Sequence, residues 1–337
     1  MISEKDISYV SPSLFCSRVR IAAAHLSLAG MRATERLCYQ IILGMDACFS
    51  AALRILGPIL VLMANVLIGV CVYAYLWVLV PHYLIPELGM CATATIVVFG
   101  LWILFNILFN YWCCVLTPPG FPGDSLPAPD DLEEGIDFSD FGDGWRKCKK
   151  CKCGKPPRTH HCSVCKKCVM KMDHHCPWVN NCVGFRNYKF FCLFLVYTAV
   201  GCAYVALTCI LTWVIGRGHS DTRRDNVLVF VFILVLAVLF ALTLFLGWHS
   251  YLVASNQTTI EFYSNRMDAF DARKRGERWV NRWSVGVRGN FEQVFGMSRN
   301  VFSWLLPSRK PPPGDGMNFP LNPEGEWHEP EMMAIPV

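Results

Sequence analysis

Cysteine and histidine residues are concentrated in one short stretch of this 337-residue chain. Between Cys148 and Cys182 lie eight cysteines and four histidines. Repeated C-x2-C pairs followed by histidine and cysteine suit tetrahedral zinc, because each short turn presents two thiolates to one ion. A block with so few aliphatic side chains buries too little apolar area to fold without a metal or similar cross-link. The stretch therefore predicts a zinc-binding block, in which two ions would take about eight ligands and leave the other residues for different chemistry.

The tetrapeptide Asp-His-His-Cys occupies residues 173–176, near the end of this block. With it, residues 148–182 resemble the cysteine-rich domain of the DHHC family of protein S-acyltransferases, whose signature is this tetrapeptide. The resemblance implies two interleaved structural zinc ions. Carried over by position, the first would be bound by Cys148, Cys151, His161 and Cys168. The second would be bound by Cys162, Cys165, His175 and Cys182.

This assignment leaves His160, Cys153, His174 and Cys176 uncoordinated. Cys153 stands beside the expected ligands, so exchange with Cys151 as a ligand stays open. The alternative to catalysis is that the whole block is a purely structural zinc module, which would make the protein a membrane-anchored zinc-binding adaptor. Such a module has no need of Asp173 or His174, and this favours the enzyme.

Three further motifs extend the resemblance over roughly residues 55–300. Thr-Pro-Pro-Gly at residues 117–120 stands where the family often has Asp-Pro-Gly, with proline in place of aspartate. Residues 258–261 match a Thr-Thr-x-Glu motif, which is expected to cap the helix that it begins. Asn290 resembles a family asparagine that packs against the helix bundle.

The resemblance implies that Cys176 is the nucleophile of a thioester exchange. Such an exchange needs a thiolate, and a free cysteine is mostly protonated near neutral pH. His174, two residues away, can take the thiol proton, while Asp173 would hold the imidazole in the useful tautomer. Asp173, His174 and Cys176 are therefore the predicted catalytic residues.

The family reaction is a two-step transfer in which acyl-CoA, typically palmitoyl-CoA, acylates the enzyme and a substrate protein cysteine then takes the acyl group. The expected partners are acyl-CoA, the lipid bilayer and proteins with membrane-proximal cysteines, and no nucleic acid. The CoA phosphates require cations. The candidates in or beside the block are Lys149, Lys150, Lys152, Lys166, Lys167, Arg186 and Lys189.

The rest of the chain must place this block at a membrane. Apolar residues make up 53% of the chain and charged residues 17%, with a mean hydropathy of +0.34. Four stretches lack charged residues over the roughly 20 positions that a helix needs to cross a bilayer. They predict an all-α integral membrane protein with four transmembrane helices, at 55–80, 88–116, 190–216 and 226–251. A channel or transporter is not favoured, because it would be expected to place ionisable residues in mid-span and none appear there.

Charge predicts the orientation of these helices. Residues 121–189 carry twelve lysines and arginines and the tail after Tyr251 carries ten, whereas the connection between the first two spans has none. The positive-inside rule then places both termini and the zinc block in the cytosol. The other predicted boundaries are 1–54 for an N-terminal interfacial segment, 117–147 for an acidic linker, 148–187 for the zinc domain and 252–337 for a cytosolic tail. The resemblance implies a multi-pass protein of the endoplasmic reticulum, Golgi or plasma membrane.

Three smaller expectations concern single residues and the end of the chain. The Pro-rich tail from Pro307 is expected to be poorly ordered. His249, near the end of the fourth span, is expected at the membrane interface. Gly201 in the third span is expected to leave room for the end of an acyl chain.

Overall fold

Helices account for most of the computed structural model, which describes residues 33–124, 142, 144–215 and 222–322. Most of the predicted interfacial segment, nearly all of the predicted acidic linker, residues 216–221 and the chain from residue 323 lie outside the described residues. The chain divides into two compact units, Met1–Leu56 and Gly57–Val337. The described part of the first unit is helical, with exposed apolar side chains such as Leu37 and Phe49.

The first helical run consists of helix α1 (Ala33–Tyr73), a π-helical segment (Ala74–Leu84) and helix α2 (Ile85–Leu116). Pro81 lies within the π-helical segment. Because proline has no N–H to donate and its ring crowds the preceding turn, the regular α-helical hydrogen bonding cannot continue through this position.

This run reverses direction instead of continuing straight. A straight helix would place Val61 about 75 Å from Tyr111, whereas the Tyr111 hydroxyl lies 3.4 Å from the Val61 carbonyl oxygen. The helix is interrupted at Gly89, whose φ of 76° and ψ of 167° are accessible mainly to glycine. From Gly57 onwards, within the second compact unit, the run therefore forms two antiparallel helical segments.

Helices α3 (Tyr188–Ile215) and α4 (Thr222–Ala254) complete the apolar bundle. Helix α3 packs against both α2 and α4. In the described part of the chain, three helical runs are long and apolar enough to cross a membrane: Gln40–Leu116, Tyr188–Ile215 and Arg223–Ala254. The chain is thus mostly helical, as predicted. The first of these runs, Gln40–Leu116, is the one that reverses direction.

Gly201 is a close-packing position rather than an open space. A Cβ atom on Gly201 would lie 2.9 Å from Cδ1 of Ile107 and 3.4 Å from Cγ2 of Ile103 in helix α2. The expectation that Gly201 leaves room for an acyl chain is therefore wrong for this structure, because side chains of α2 fill the volume beside it.

The cysteine-rich block consists of three antiparallel two-stranded ribbons, which the all-α prediction did not include. Their strands are β1 (Arg146–Lys147), β2 (Gly154–Lys155), β3 (His160–Cys162), β4 (Lys167–Val169), β5 (His174–Cys176) and β6 (Asn181–Val183). The register repeats every 14 residues, because the cross-strand pairs are Lys147–Gly154, His161–Cys168 and His175–Cys182. Ligand pairs in short turns require the chain to reverse within a few residues, which a helix cannot do.

The C-terminal region contains helices α5 (Thr259–Lys274) and α6 (Val287–Phe295) and a short 3-10 helix (Val301–Leu305). The expected cap of α5 is present as a capping box. The Thr258 hydroxyl accepts a hydrogen bond from the Glu261 N–H, and the Glu261 carboxylate accepts one from the Thr258 N–H. Asn290 is buried and donates to the carbonyl oxygen of Ala254, so it holds α6 against the end of α4 as expected.

Residues 307–322 pack on the protein instead of forming a poorly ordered tail. The Phe319 ring lies 5.9 Å from the Trp283 ring and 6.1 Å from the Phe185 ring, measured between centroids. The Arg158 guanidinium lies 5.0 Å from the centroid of the Phe319 ring. Aromatic and cation–π contacts therefore attach this part of the tail to the cysteine-rich block.

We expect Phe319→Ala to lower the stability of the protein by about 2 kcal/mol, because it removes these ring and cation contacts. The midpoint of thermal unfolding in detergent measures the change. Leu321→Ala is the matched control, since Leu321 is on the same segment and is 52% exposed. Equal midpoints for the two variants would contradict the docking of Phe319.

Candidate functional site

Two groups of three cysteines and one histidine bring their donor atoms together in the block. The first group is Cys148, Cys151, His161 and Cys168, and the second is Cys162, Cys165, His175 and Cys182. Within each group the donor atoms all lie within 4.8 Å of one another. These are the two sets that the resemblance implied, and among the described residues Cys153 joins neither.

Each group combines the turn of one ribbon with a cross-strand pair of the next. Cys162 and Cys165 lie at the turn between β3 and β4, while His175 and Cys182 face each other across β5 and β6. The first group joins the β1–β2 turn to the β3–β4 ribbon in the same way. Because the sites are interleaved, each metal would cross-link two successive ribbons.

Distances between the donor atoms fit a zinc ion. With the usual Zn–S and Zn–N bond lengths, sulfur and nitrogen ligands of a tetrahedral site lie about 3.6 Å apart. The Sγ–Nδ1 distance is 3.1 Å for Cys151 and His161 and 3.4 Å for Cys165 and His175. The Cys165 N–H also donates to Sγ of Cys162 at 3.3 Å, which favours a thiolate there. The two groups can hold metal ions, and their donor sets suit zinc.

The third ribbon has a single cysteine at its turn. Cys176 faces Asn181 across β5 and β6, the place that Cys162 takes in the second ribbon. Three residues further on, where the second ribbon has Cys165, the third has Val179. Cys176 belongs to neither metal-binding group of the described chain. It is 7% exposed and lies in a hydrophobic cluster with side chains of α2 and α3.

His174 lies between a carboxylate and this thiol. Its Nδ1 is 2.6 Å from Oδ2 of Asp173. Burial lowers the pKa of His174, but hydrogen bonds with Asp173 and Cys176 outweigh burial and raise the pKa to about 9. The raised pKa makes the His174 imidazole a stronger base than a free histidine, as activation of a neighbouring thiol requires.

Asp173 is itself held by the start of helix α5. Its Oδ1 accepts from the Thr259 N–H at 2.8 Å, and its Oδ2 accepts from the Thr259 hydroxyl at 2.9 Å. Burial raises the pKa of the carboxyl, but the bonds from His174 and Thr259 outweigh it and hold the pKa below its usual range. The N-terminal end of α5 thus fixes an ionised carboxylate behind His174. Sequence reasoning assigned Thr259 only a capping role and missed this contact.

Comparison with known proteins identifies the family. A family model described as DHHC palmitoyltransferase matches residues 142–266. Palmitoyltransferase ZDHHC15 of Xenopus laevis is 32% identical over 311 residues, which cover 83% of this chain and 87% of the relative. The chain belongs to the DHHC palmitoyltransferase family. Probable protein S-acyltransferase 14 of Arabidopsis thaliana is 36% identical over 308 residues, which cover 82% of this chain and 94% of the relative.

The DHHC block is joined to the C-terminal region through Arg158, which the sequence analysis did not single out. Arg158 is 4% exposed, and its Nε and Nη2 donate to the two carboxylate oxygens of Glu261, each at 2.7 Å. It also donates to the side chain and carbonyl oxygen of Asn256, both at 3.0 Å. The sequence does contain one indication of a special role for Arg158, because it is the single arginine between Cys148 and Cys182, among several lysines. A fork of donors suits a buried carboxylate better than an ammonium does.

We expect Glu261→Gln to destabilise the protein by about 3–5 kcal/mol, because it leaves the Arg158 guanidinium buried without its counter-charge. The exposed pair of Arg288 and Glu292, whose Nε and Oε1 lie 3.1 Å apart, offers the control. Glu292→Gln should change stability by less than about 1 kcal/mol. Thermal unfolding in detergent compares the two variants, and similar losses would contradict a special role for the buried pair.

His249 of helix α4 lies beside the DHHC tetrapeptide and not at an exposed interface. It is 1% exposed, and its ring centroid is 5.9 Å from that of His174. The start of α3 and the tetrapeptide cover this face of α4, so His249 is buried within the protein, and its position at the depth of the membrane interface stays a prediction.

The seven basic residues predicted to bind CoA phosphates occupy different environments. The five lysines on the first two ribbons are exposed, Arg186 is half-buried and Lys189 is buried. Lys167 places its Nζ 4.8 Å from the centroid of the Phe121 ring. The exposed lysines are open to any anion, whereas Lys189, at the first turn of α3, is covered by the protein.

Proposed function

We propose that this protein transfers a palmitoyl or similar long-chain acyl group from acyl-CoA to protein cysteines through an acyl-enzyme at Cys176. One observation carries the proposal: Cys176 lies outside both metal-binding groups and beside a hydrogen-bonded Asp173–His174 pair. A thiol with a base and an orienting carboxylate is the arrangement that covalent acyl transfer needs.

The residues of the site account for both steps. His174 takes the proton from Cys176, and the thiolate attacks the thioester carbonyl of acyl-CoA. The bond to the CoA sulfur breaks as the enzyme thioester forms, and the proton leaves with CoA. In the second step a substrate cysteine gives its proton to His174, attacks the enzyme thioester and regenerates Cys176. Asp173 keeps Nδ1 of His174 protonated, so that Nε2 is the nitrogen that accepts and returns the proton.

The eight Cys and His residues of the two groups would hold two structural zinc ions. Zinc would supply cross-links between successive ribbons rather than chemistry on the substrate. His175 belongs to the second group and separates His174 from Cys176 in the sequence. Fixing His175 would therefore hold its two neighbours in register.

We also propose four membrane crossings, with both termini and the domain at 148–187 in the cytosol. The fold-back at Gly89 supports two crossings in the first helical run, at 55–80 and 88–116, in addition to those at 190–216 and 226–251. The lysines and arginines of the DHHC block and tail support the orientation. At the cytosolic surface the CoA group can stay in water while the acyl chain lies inside the helix bundle. Each CH₂ buried there contributes about 0.8 kcal/mol. The compartment proposed from the family is the endoplasmic reticulum, Golgi or plasma membrane.

The substrates proposed are acyl-CoA and proteins with cysteines close to the membrane. The phosphates of CoA would be met by the basic residues in and beside the DHHC block. A zinc-binding adaptor without catalysis is not favoured, because it leaves the Asp173–His174 pair and the free Cys176 thiol without a purpose.

Incubation of detergent-purified protein with labelled palmitoyl-CoA tests the proposal. A label on the chain that hydroxylamine removes identifies a thioester. Transfer of the label to a cysteine-containing membrane-anchored acceptor completes the reaction. Zinc-replete, folded protein that takes up no label would contradict the proposed function and support the adaptor.

A further inference from the structure

His249 is a buried polar side chain in an otherwise aromatic environment. The Phe245 and Phe191 rings lie 4.6 Å and 5.0 Å from it between centroids, both edge-on. Its Nδ1 is 3.0 Å from the Tyr188 hydroxyl oxygen. A buried imidazole costs free energy unless both of its nitrogens are satisfied, so the partner of the second nitrogen matters.

The second nitrogen has one obvious neighbour. A ring nitrogen of His249, a ring nitrogen of His174 and a carboxylate oxygen of Asp173 all lie within 4.8 Å of one another. Nδ1 of His249 is engaged by Tyr188, so Nε2 is the nitrogen that remains available to this pair. The Asp173 carboxylate already accepts from His174 and twice from Thr259. A cation would have to displace these bonds, whereas a further N–H donor would add to them.

We infer that His249 is a positioning residue for the acyl transfer, acting through Asp173 and His174. Tyr188 donates to Nδ1 of His249, so Nε2 carries the proton and points its N–H at the Asp173–His174 pair. At this distance, which is longer than a hydrogen bond, the N–H dipole favours the ionised carboxylate and adds to the hydrogen bonds from α5. The ring also closes the space beside the His174 imidazole and keeps it directed at Cys176. The inference rests on the proposed acyl-enzyme at Cys176.

Two substitutions separate a polar role from a packing role. Glutamine places an amide N–H near the position of Nε2, whereas phenylalanine fills the aromatic environment without a donor. With His249→Phe we expect the rate of acyl-enzyme formation at saturating palmitoyl-CoA to fall about 10-fold or more, and with His249→Gln to stay within about 3-fold of wild type. The KM for palmitoyl-CoA should change little in either variant. If His249→Phe is as fast as or faster than His249→Gln, the residue only packs and the inference is wrong.

Tyr188→Phe provides an independent arm if either His249 variant fails to fold. It should lower the same rate with little change in KM, and adding it to His249→Phe should slow the reaction no further, because Tyr188 acts only through the His249 imidazole. A wild-type rate in Tyr188→Phe would overturn the inference. Phe245→Leu, which alters packing around His249 but removes no polar group, should react like wild type. Zinc content near two per chain checks the fold of every variant.

The proposed function and the inference can fail separately. If the wild-type protein forms no hydroxylamine-sensitive label, the proposed acyl-enzyme is wrong. If the wild-type protein is labelled and His249→Phe reacts equally fast, only the inferred role of His249 is wrong.

Discussion

Cys176→Ser is expected to lower acyl-enzyme formation by about 10³-fold or more, since a hydroxyl is a far weaker nucleophile than a thiolate in the same position. The zinc content should stay at about two per chain, because Cys176 lies outside both metal-binding groups. The measurement is the hydroxylamine-sensitive label from palmitoyl-CoA, with elemental analysis for zinc on the same sample.

Cys114→Ala is the matched control for this experiment. Cys114 is a fully buried cysteine of helix α2 in the same hydrophobic cluster as Cys176. We expect it to keep the label. Persistence of the label in Cys176→Ser would place the acyl group on another cysteine, and loss of zinc from that variant would show that Cys176 is a ligand.

Cys151→Ala is expected to lose zinc, unfold the DHHC block and abolish activity. Structural zinc contributes roughly 10–16 kcal/mol to the folding of small domains, and Cys151 belongs to the first metal-binding group. Because the two sites share the β3–β4 ribbon, loss of the first metal ion should also destabilise the second site. Zinc per chain by elemental analysis and limited proteolysis of the block measure the effect.

Cys153→Ala provides the comparison two residues away. Cys153 lies in the same turn and is buried, whereas Cys151 is half-buried, but Cys153 joins neither metal-binding group of the described chain. It should keep both zinc ions and most of the activity. The reverse result, with zinc lost from Cys153→Ala and kept in Cys151→Ala, would mean that the two thiols exchange roles as ligands.

Parts of the site could be predicted because their information is local. Cysteines and histidines at ligand spacing, together with the Asp-His-His-Cys tetrapeptide, pointed to the residues that the structure brings together in two groups and one Asp–His pair. Long apolar stretches likewise predicted helices that are long and apolar enough to cross a membrane. In both cases the relevant spacing is a few residues or one helix length, so the pattern is readable along the chain.

Contacts between distant parts of the chain could not be predicted in this way. Arg158 and Glu261 are 103 positions apart in the sequence, and Asp173 and Thr259 are 86 apart. Phe319 looked like part of an unstructured tail because its attachment depends on a cation and rings supplied elsewhere. Gly201 looked like open space because the residues that fill it, such as Ile107, belong to another helix.

The sequence by itself determined which residues could carry the chemistry of this protein: the proposed ligands and nucleophile, the long apolar helices and the family resemblance all follow from residue types at short spacing. Only the tertiary structure decided how the site is supported. Helices α4 and α5 bring His249 and Thr259 to the Asp173–His174 pair, and the ribbons interleave the metal-binding groups. The physical reason is that metal ligation and helix formation depend on local spacing, whereas the orientation of a carboxylate or an imidazole depends on which distant donors packing brings within about 3 Å of it.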